Sequence, residues 1–123
     1  MGVTSTDLEH NKEVVRRFFD EVIAGRDTAV LDELVAEDYI QHNPGAGQGR
    51  EGLRVFLEHL FGVMPPGSEE VSAQLIAEGD LVVRQTILPS GMLIDIYRVA
   101  DGKLQEHWDA YRPDPGTERL PGF

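Results

Sequence analysis

The hydrophobic period of this chain changes once, and that change restricts its fold more than any other feature. Before Gly67 the apolar residues recur at helical spacing; after it they recur at every second position. Val14, Val15, Phe18, Phe19, Val22 and Ile23 fall on one face of a first helix that Gly25 can end. Thr6 and Glu9 have the spacing of a capping box in front of that stripe. Asp27 can cap a second, shorter helix with Leu31, Leu34 and Val35 as its buried stripe. In the third helix Leu53, Phe56, Leu57, Leu60, Phe61 and Met64 line up, and Pro65-Pro66-Gly67 stops it. The alternating part predicts four strands, about 70–78, 81–88, 92–99 and 103–111. The breaks between them are short (Gly79-Asp80, Pro89-Ser90-Gly91, Asp101-Gly102), so consecutive strands are expected to pair antiparallel. Helices followed by a meander make an α+β chain rather than alternating βαβ units. Residues 38–44 read as a short strand entering a glycine-rich loop.

At 123 residues there is room for one core, so the expectation is a single domain over 1–123 with a surface extension from about 113. No apolar run is long enough to span a membrane. The first ten residues lack the basic start and apolar centre of a secretory signal, and Gly2 alone is a weak basis for myristoylation. The sequence has no cysteine, which removes disulfides, thiolate nucleophiles and Cys-based zinc sites and fits a cytoplasmic setting. A net charge of −11 repels phosphate backbones and anionic lipid, so neither nucleic acid nor a membrane surface is an expected partner.

The last two strands hold the residues with chemistry. Asp95 interrupts the apolar run Leu93–Tyr97, and alternation puts His107, Asp109 and Tyr111 on one face with Glu106, Trp108 and Ala110 on the other. The hairpin allows two registers. A two-residue Asp101-Gly102 loop sets Asp95 opposite Trp108. A three-residue loop with Gly102 left-handed in a bulge sets Asp95 opposite His107 and diagonal to Asp109. The second gathers three ionisable groups, and carboxylates crowded in an apolar wall acquire raised pKa values suited to acid/base work. His42, His107, Asp95 and Asp109 are also zinc- or iron-binding residue types, but their spacing matches no metal motif, so no metal is expected. His10 and His59 lie off the helical stripes and are expected in solvent.

The stretch Asp95–Asp109, with "DGK" and "EHWD" inside it, resembles the SnoaL-like polyketide cyclase family of the nuclear transport factor 2-like superfamily. Tyr39-Ile40-Gln41-His42-Asn43-Pro44 with Gly49-Arg50-Glu51-Gly52 resembles it too, and the likeness runs from the first helix to about Arg112. It implies three helices packed on a curved antiparallel sheet that forms a cone around an internal pocket. In cyclising members an aspartate matching Asp109 is the general acid/base, assisted by a histidine at the position of Asp95. The likeness thus implies the bulged hairpin, an inward Asp109, Asp95 and His107, and an outward Trp108 at a homodimer interface on the convex face.

With aspartate at 95, His42 from the first strand is the expected source of the missing imidazole, and His42, His107 or Asp95 would donate a hydrogen bond to a developing enolate. Tyr39, Ile40, Phe56, Leu60, Arg84, Thr86, Tyr97 and Tyr111 are the expected substrate-binding residues. Thr86 and Leu88 stand where the epoxide-hydrolysing branch carries an arginine–aspartate pair, and the first helix lacks the tyrosine of ketosteroid isomerases. The implied activity is cofactor-free acid/base chemistry on a small apolar carbonyl compound: aldol-type cyclisation, isomerisation or dehydration. A non-catalytic binding module on the same cone is the alternative.

Overall fold

The computed structural model describes residues 5–64 and 70–116, and side chains from residue 7 on. The Thr6 side chain of the expected capping box, Gly2, the Pro65-Pro66-Gly67 stop and the extension after 116 lie outside what is described. Helix α1 (Ser5–Arg17) runs straight into a π-helical stretch, Phe18–Ala24, and together they bury Val14, Val15, Phe18 and Val22. The wider turns end where the Gly25 N–H donates to Asp20 O at 3.0 Å. Gly25 itself is right-handed (φ −76°), and Arg26 makes the left-handed step at φ 52°. A Cβ at position 25 would lie 2.4 Å from the Glu21 carbonyl oxygen, so close approach rather than a positive φ calls for glycine.

Asp27 caps as expected, accepting from Ala29 N–H at 3.0 Å, but the turn it opens is a 3₁₀ segment, Thr28–Val30, leading into the single-turn α2 (Leu31–Leu34). Val35, expected on that helix, already begins β1 (Val35–Gln41). Helix α3 (Gly49–Val63) buries Leu53 and Leu57 and lies against β1. The meander follows as β2 (Ser72–Glu78), β3 (Leu81–Leu88), β4 (Gly91–Ala100) and β5 (Lys103–Pro113). The curved open sheet has the order β1-β5-β4-β3-β2, with β1 parallel to β5 and every other pair antiparallel. No described helix is long and apolar enough to cross a membrane.

The β4–β5 register differs from both sequence-derived alternatives. Asp101 (φ 55°) and Gly102 (φ 71°) form a two-residue turn with both residues left-handed, and Ala100 pairs with Lys103. The bulge comes further along, where Val99 pairs with Leu104 but Arg98 pairs with Glu106, leaving Gln105 extra. Its side chain reaches back, Nε2 donating to Ala100 O at 2.9 Å. Asp95 therefore stands opposite Asp109, and Trp108 opposite Ile96. The sidedness matches the bulged alternative, because one extra residue reverses the faces that the two-residue turn alone would give.

Candidate active site

Cross-strand pairing arranges the helix-facing side of the sheet in rows. Val82, Tyr97, His107 and Gln41 form one row across β3, β4, β5 and β1; Arg84, Asp95 and Asp109 form the next; Thr86, Leu93 and Tyr111 follow. Between these rows and the first and third helices lies a cavity of about 370 Å³. Its helix side is apolar, with Phe18, Phe19, Ile23, Leu53, Phe56 and Leu60 on the wall. Most of its polar groups come from the sheet, and the exposed Asp20, Arg26 and Glu70 line it from outside the sheet.

His107 is at the centre of the polar face, buried and stacked between the Tyr97 ring (4.6 Å between centroids) and the Tyr39 ring (6.5 Å). Its Nδ1 lies 2.8 Å from Gln41 Oε1, and the same oxygen accepts from the Asn43 N–H at 3.0 Å. An oxygen that already accepts from a backbone N–H makes Nδ1 a donor, so Nδ1 carries a proton. Nε2 faces Asp95 Oδ1 at 2.8 Å. Since the neutral ring has spent its only proton on Nδ1, this contact holds a second proton, written either as imidazolium–carboxylate or as imidazole–carboxylic acid. Asp95 is 4% exposed, and its Oδ2 is buried with no hydrogen-bond partner among the described residues. Such an oxygen is costly unless a ligand or a proton meets it.

Asp109 completes the group, with Oδ2 3.8 Å from His107 Nε2 and accepting from Asn43 Nδ2 at 3.1 Å. Asn43 is fixed in turn, its Oδ1 accepting from Gly45 N–H at 2.8 Å. Burial raises the Asp109 carboxyl above the usual aspartate range, and the Asp95 charge adds to the rise; His107 and the Asn43 hydrogen bond oppose it. Burial, reinforced by the Asp95 charge, pushes the phenols of Tyr39 and Tyr97 well above their ordinary value, which keeps them protonated. Asp95, His107 and Asp109 each offer one ligand atom, all within 4.8 Å of one another, and are donor types that zinc accepts.

Arg84 is the buried cation of the cavity. Its Nη1 donates to Thr86 Oγ1 at 2.7 Å, its Nη2 donates to Glu70 Oε1 at 2.8 Å, and its guanidinium carbon lies 3.8 Å from the Phe19 ring centroid.

Of the residues singled out from the sequence, Asp95, His107 and Asp109 converge here, and Tyr39, Phe56, Leu60, Arg84, Thr86 and Tyr97 line the same cavity. Three do not. His42 points to the outer face, its ring stacked on Trp108 at 4.9 Å and its Nε2 2.6 Å from Glu106 Oε2, so it supplies no imidazole to the site. Ile40 is exposed on that outer face, paired with Glu106. Tyr111 is half-buried on the inner face but shares a 2.7 Å hydrogen bond with Ser90 instead of lining the cavity. Sequence reasoning missed Gln41 and Asn43. Alternation along β1 was the available signal, since it puts Tyr39, Gln41 and Asn43 on one side and Ile40 and His42 on the other.

The same architecture occurs in known proteins. A candidate SnoaL-like polyketide cyclase from Jannaschia sp. CCS1 superposes with a TM-score of 0.71 at 26% identity, covering 90% of this chain and 91% of that one. A candidate ketosteroid isomerase from Kribbella flavida DSM 17836 superposes at 0.61 with 26% identity, covering 94% of this chain and 93% of that one. A candidate polyketide cyclase from Acidithiobacillus ferrooxidans shares the fold at 0.68 and 19% identity, covering 90% and 91%. No curated protein matches the sequence. The model of the SnoaL-like domain matches residues 15–107, from α1 to the histidine at the centre of the polar face, and so the chain belongs to the SnoaL-like domain family.

Proposed function

We propose that the chain is a cofactor-free acid/base enzyme in which Asp109 removes a proton α to the carbonyl of a small, largely apolar compound. The observation that carries this reading is a carboxylate whose burial raises its basicity, beside the 2.8 Å contact of His107 Nε2 with Asp95 Oδ1, both facing a cavity with an apolar helix wall. Raised basicity suits a carboxylate to carbon-acid chemistry near neutral pH, and a protonated neighbour offers a hydrogen bond to the developing enolate. Asp109 takes the proton and returns it, to carbon for an isomerisation or to oxygen for an aldol closure or dehydration. The apolar helix wall excludes water and strengthens each of these contacts. Likeness to a candidate SnoaL-like polyketide cyclase and a candidate ketosteroid isomerase supports chemistry of this kind.

An α-acidic bicyclic ketone, 2-tetralone, tests the first step without knowledge of the substrate. Deuterium exchange at its α-carbon, followed by NMR in D₂O, is expected to be catalysed by the wild type and to fall about 10²-fold or more in Asp109→Asn. Unimpaired exchange by the Asn variant would remove Asp109 from its role.

The outer face supports a homodimer. Ile76, Val83, Ile96 and Trp108 form one continuous row across β2, β3, β4 and β5, with Ile94 in the adjoining row and the exposed Ile87 in the row beyond it. A contiguous apolar patch of this kind marks an interface, and a two-fold axis lets the patch cover its own copy.

A further inference from the structure

The cavity has two polar ends, and the proposed chemistry uses only one of them. At the other, the Arg84 side chain is 7% exposed, whereas that of its partner Glu70 is 42% exposed. Val71 N–H donates to Ile87 O at 2.7 Å, which holds the backbone beside Glu70 against β3. The pair thus runs from the cavity wall to the solvent, with its cation inside and its anion at the rim. An inward charge is expensive unless it is paired, and the phenyl face of Phe19 and the hydroxyl of Thr86 fix this one in place. Its bonds to Thr86 and Glu70 use two of the five N–H donors of a guanidinium. Asp95, directly across the β3–β4 pairing, contributes no bond to it, because Oδ1 is taken by His107 and Oδ2 has no partner among the described residues.

From this geometry we propose that Arg84 and Thr86 form an anion subsite that selects ligands bearing an acidic oxygen group, a carboxylate or an ionised enol, with the Glu70 carboxylate occupying it in the unliganded protein. Glu70 displays how a carboxylate meets the guanidinium, and being half in water it returns to solvent at small cost when a ligand anion replaces it. The protein's net charge of −11 repels such ligands at long range, so only a fixed local cation can hold one. Arg84 and Asp109 occupy one row two strands apart, a separation of about 10 Å between backbones at roughly 4.8 Å per strand. A ligand anchored at Arg84 therefore presents a carbon about two fused rings away to Asp109. The inference rests on the acid/base reading for that second end, and binding alone tests the first.

Isothermal titration with 2-naphthoate and its neutral isostere 2-naphthamide separates charge recognition from apolar fit. The wild type is expected to bind naphthoate at least 10-fold more tightly, and Asp109→Asn should keep that ratio. Arg84→Gln should bring the ratio near one while leaving naphthamide unchanged. Glu70→Gln at the solvent rim removes the competing carboxylate and should tighten naphthoate several-fold, which keeps a test in hand if Arg84→Gln does not fold. Equal affinities in the wild type, a ratio that survives Arg84→Gln, or weaker naphthoate binding by Glu70→Gln would each overturn the subsite. A ratio that collapses with Arg84→Gln, alongside unimpaired α-carbon exchange by Asp109→Asn, would leave the subsite standing and remove the base.

Discussion

Replacing Gln41 with leucine keeps the approximate size of a buried side chain and removes its carboxamide, so the two donors that its oxygen accepts lose their partner. Oε1 accepts from the Asn43 N–H at 3.0 Å and from His107 Nδ1 at 2.8 Å, and both contacts are buried. A buried donor left unsatisfied costs about 1–3 kcal/mol, so two of them should cost Gln41→Leu about 2–6 kcal/mol. That is a large part of the roughly 5–15 kcal/mol that holds a small domain together. Backbone contacts at the same residue survive, since Gln48 bonds the Gln41 N–H and C=O at 2.9 and 2.7 Å. Gln41→Glu offers the same two donors a carboxylate oxygen and should recover most of the loss. Urea denaturation measures both, and long-range ¹H–¹⁵N NMR of the His107 ring reads the tautomer directly. The expected spectrum has Nδ1 protonated throughout. A Leu variant within about 0.5 kcal/mol of wild type, or a ring with Nδ1 unprotonated, would refute the chain of reasoning that puts a proton between His107 and Asp95.

The raised Asp109 carboxyl sets the sign of a pH effect. A carboxyl whose folded pKa exceeds its unfolded value of about 3.9 favours folding fully below that value and loses this contribution as pH climbs through the folded pKa. The melting temperature of Asp109→Asn should therefore gain on wild type between pH 4 and neutrality; a constant difference would show that Asp109 is not perturbed. In the wild type the acid limb of any Asp109-dependent exchange rate should lie above the ordinary aspartate range. Gly102→Ala puts a Cβ at φ 71° in open space, so strain alone should cost about 1 kcal/mol by denaturant titration, and no loss would refute the left-handed turn. Trp108→Glu puts a charge in the outer apolar row and should shift sedimentation toward monomer; a wild type that is monomeric at high concentration would end the dimer proposal.

The helices and the meander were legible because burial imposes a period on the sequence, and strands β2 to β5 fall within about two residues of the alternating segments. The bulge was not. Gln105 needs neither glycine nor a left-handed backbone, and what closes the bulge is a side-chain bond from Gln105 to Ala100 O, which no local pattern announces. The turn residues Asp101 and Gly102 were read correctly as a turn, yet a turn fixes register only up to the next irregularity.

Which residues face the cavity then depends on parity, and parity explains both the success on β5 and the error on β1. On β5, family resemblance supplied the sidedness, so Asp109 and His107 were placed inward although the register count was wrong by two. On β1, the chemical appeal of an imidazole favoured His42, although the alternation that puts Tyr39 inward puts Ile40 and His42 outward. Expecting Tyr39 and Ile40 to line one cavity was inconsistent on the same ground, since adjacent strand residues face opposite ways. The residues that parity does select, Gln41 and Asn43, carry no titratable group. Each nevertheless fixes one that does: Gln41 orients the His107 ring, and Asn43 holds Asp109. An amide that can only donate and accept is suited to that task, because it sets a proton's position without competing for the proton. In this fold β1 pairs parallel to β5 and aligns Gln41 with His107, so the strand expected to supply an assisting imidazole instead supplies the amides that hold His107 and Asp109.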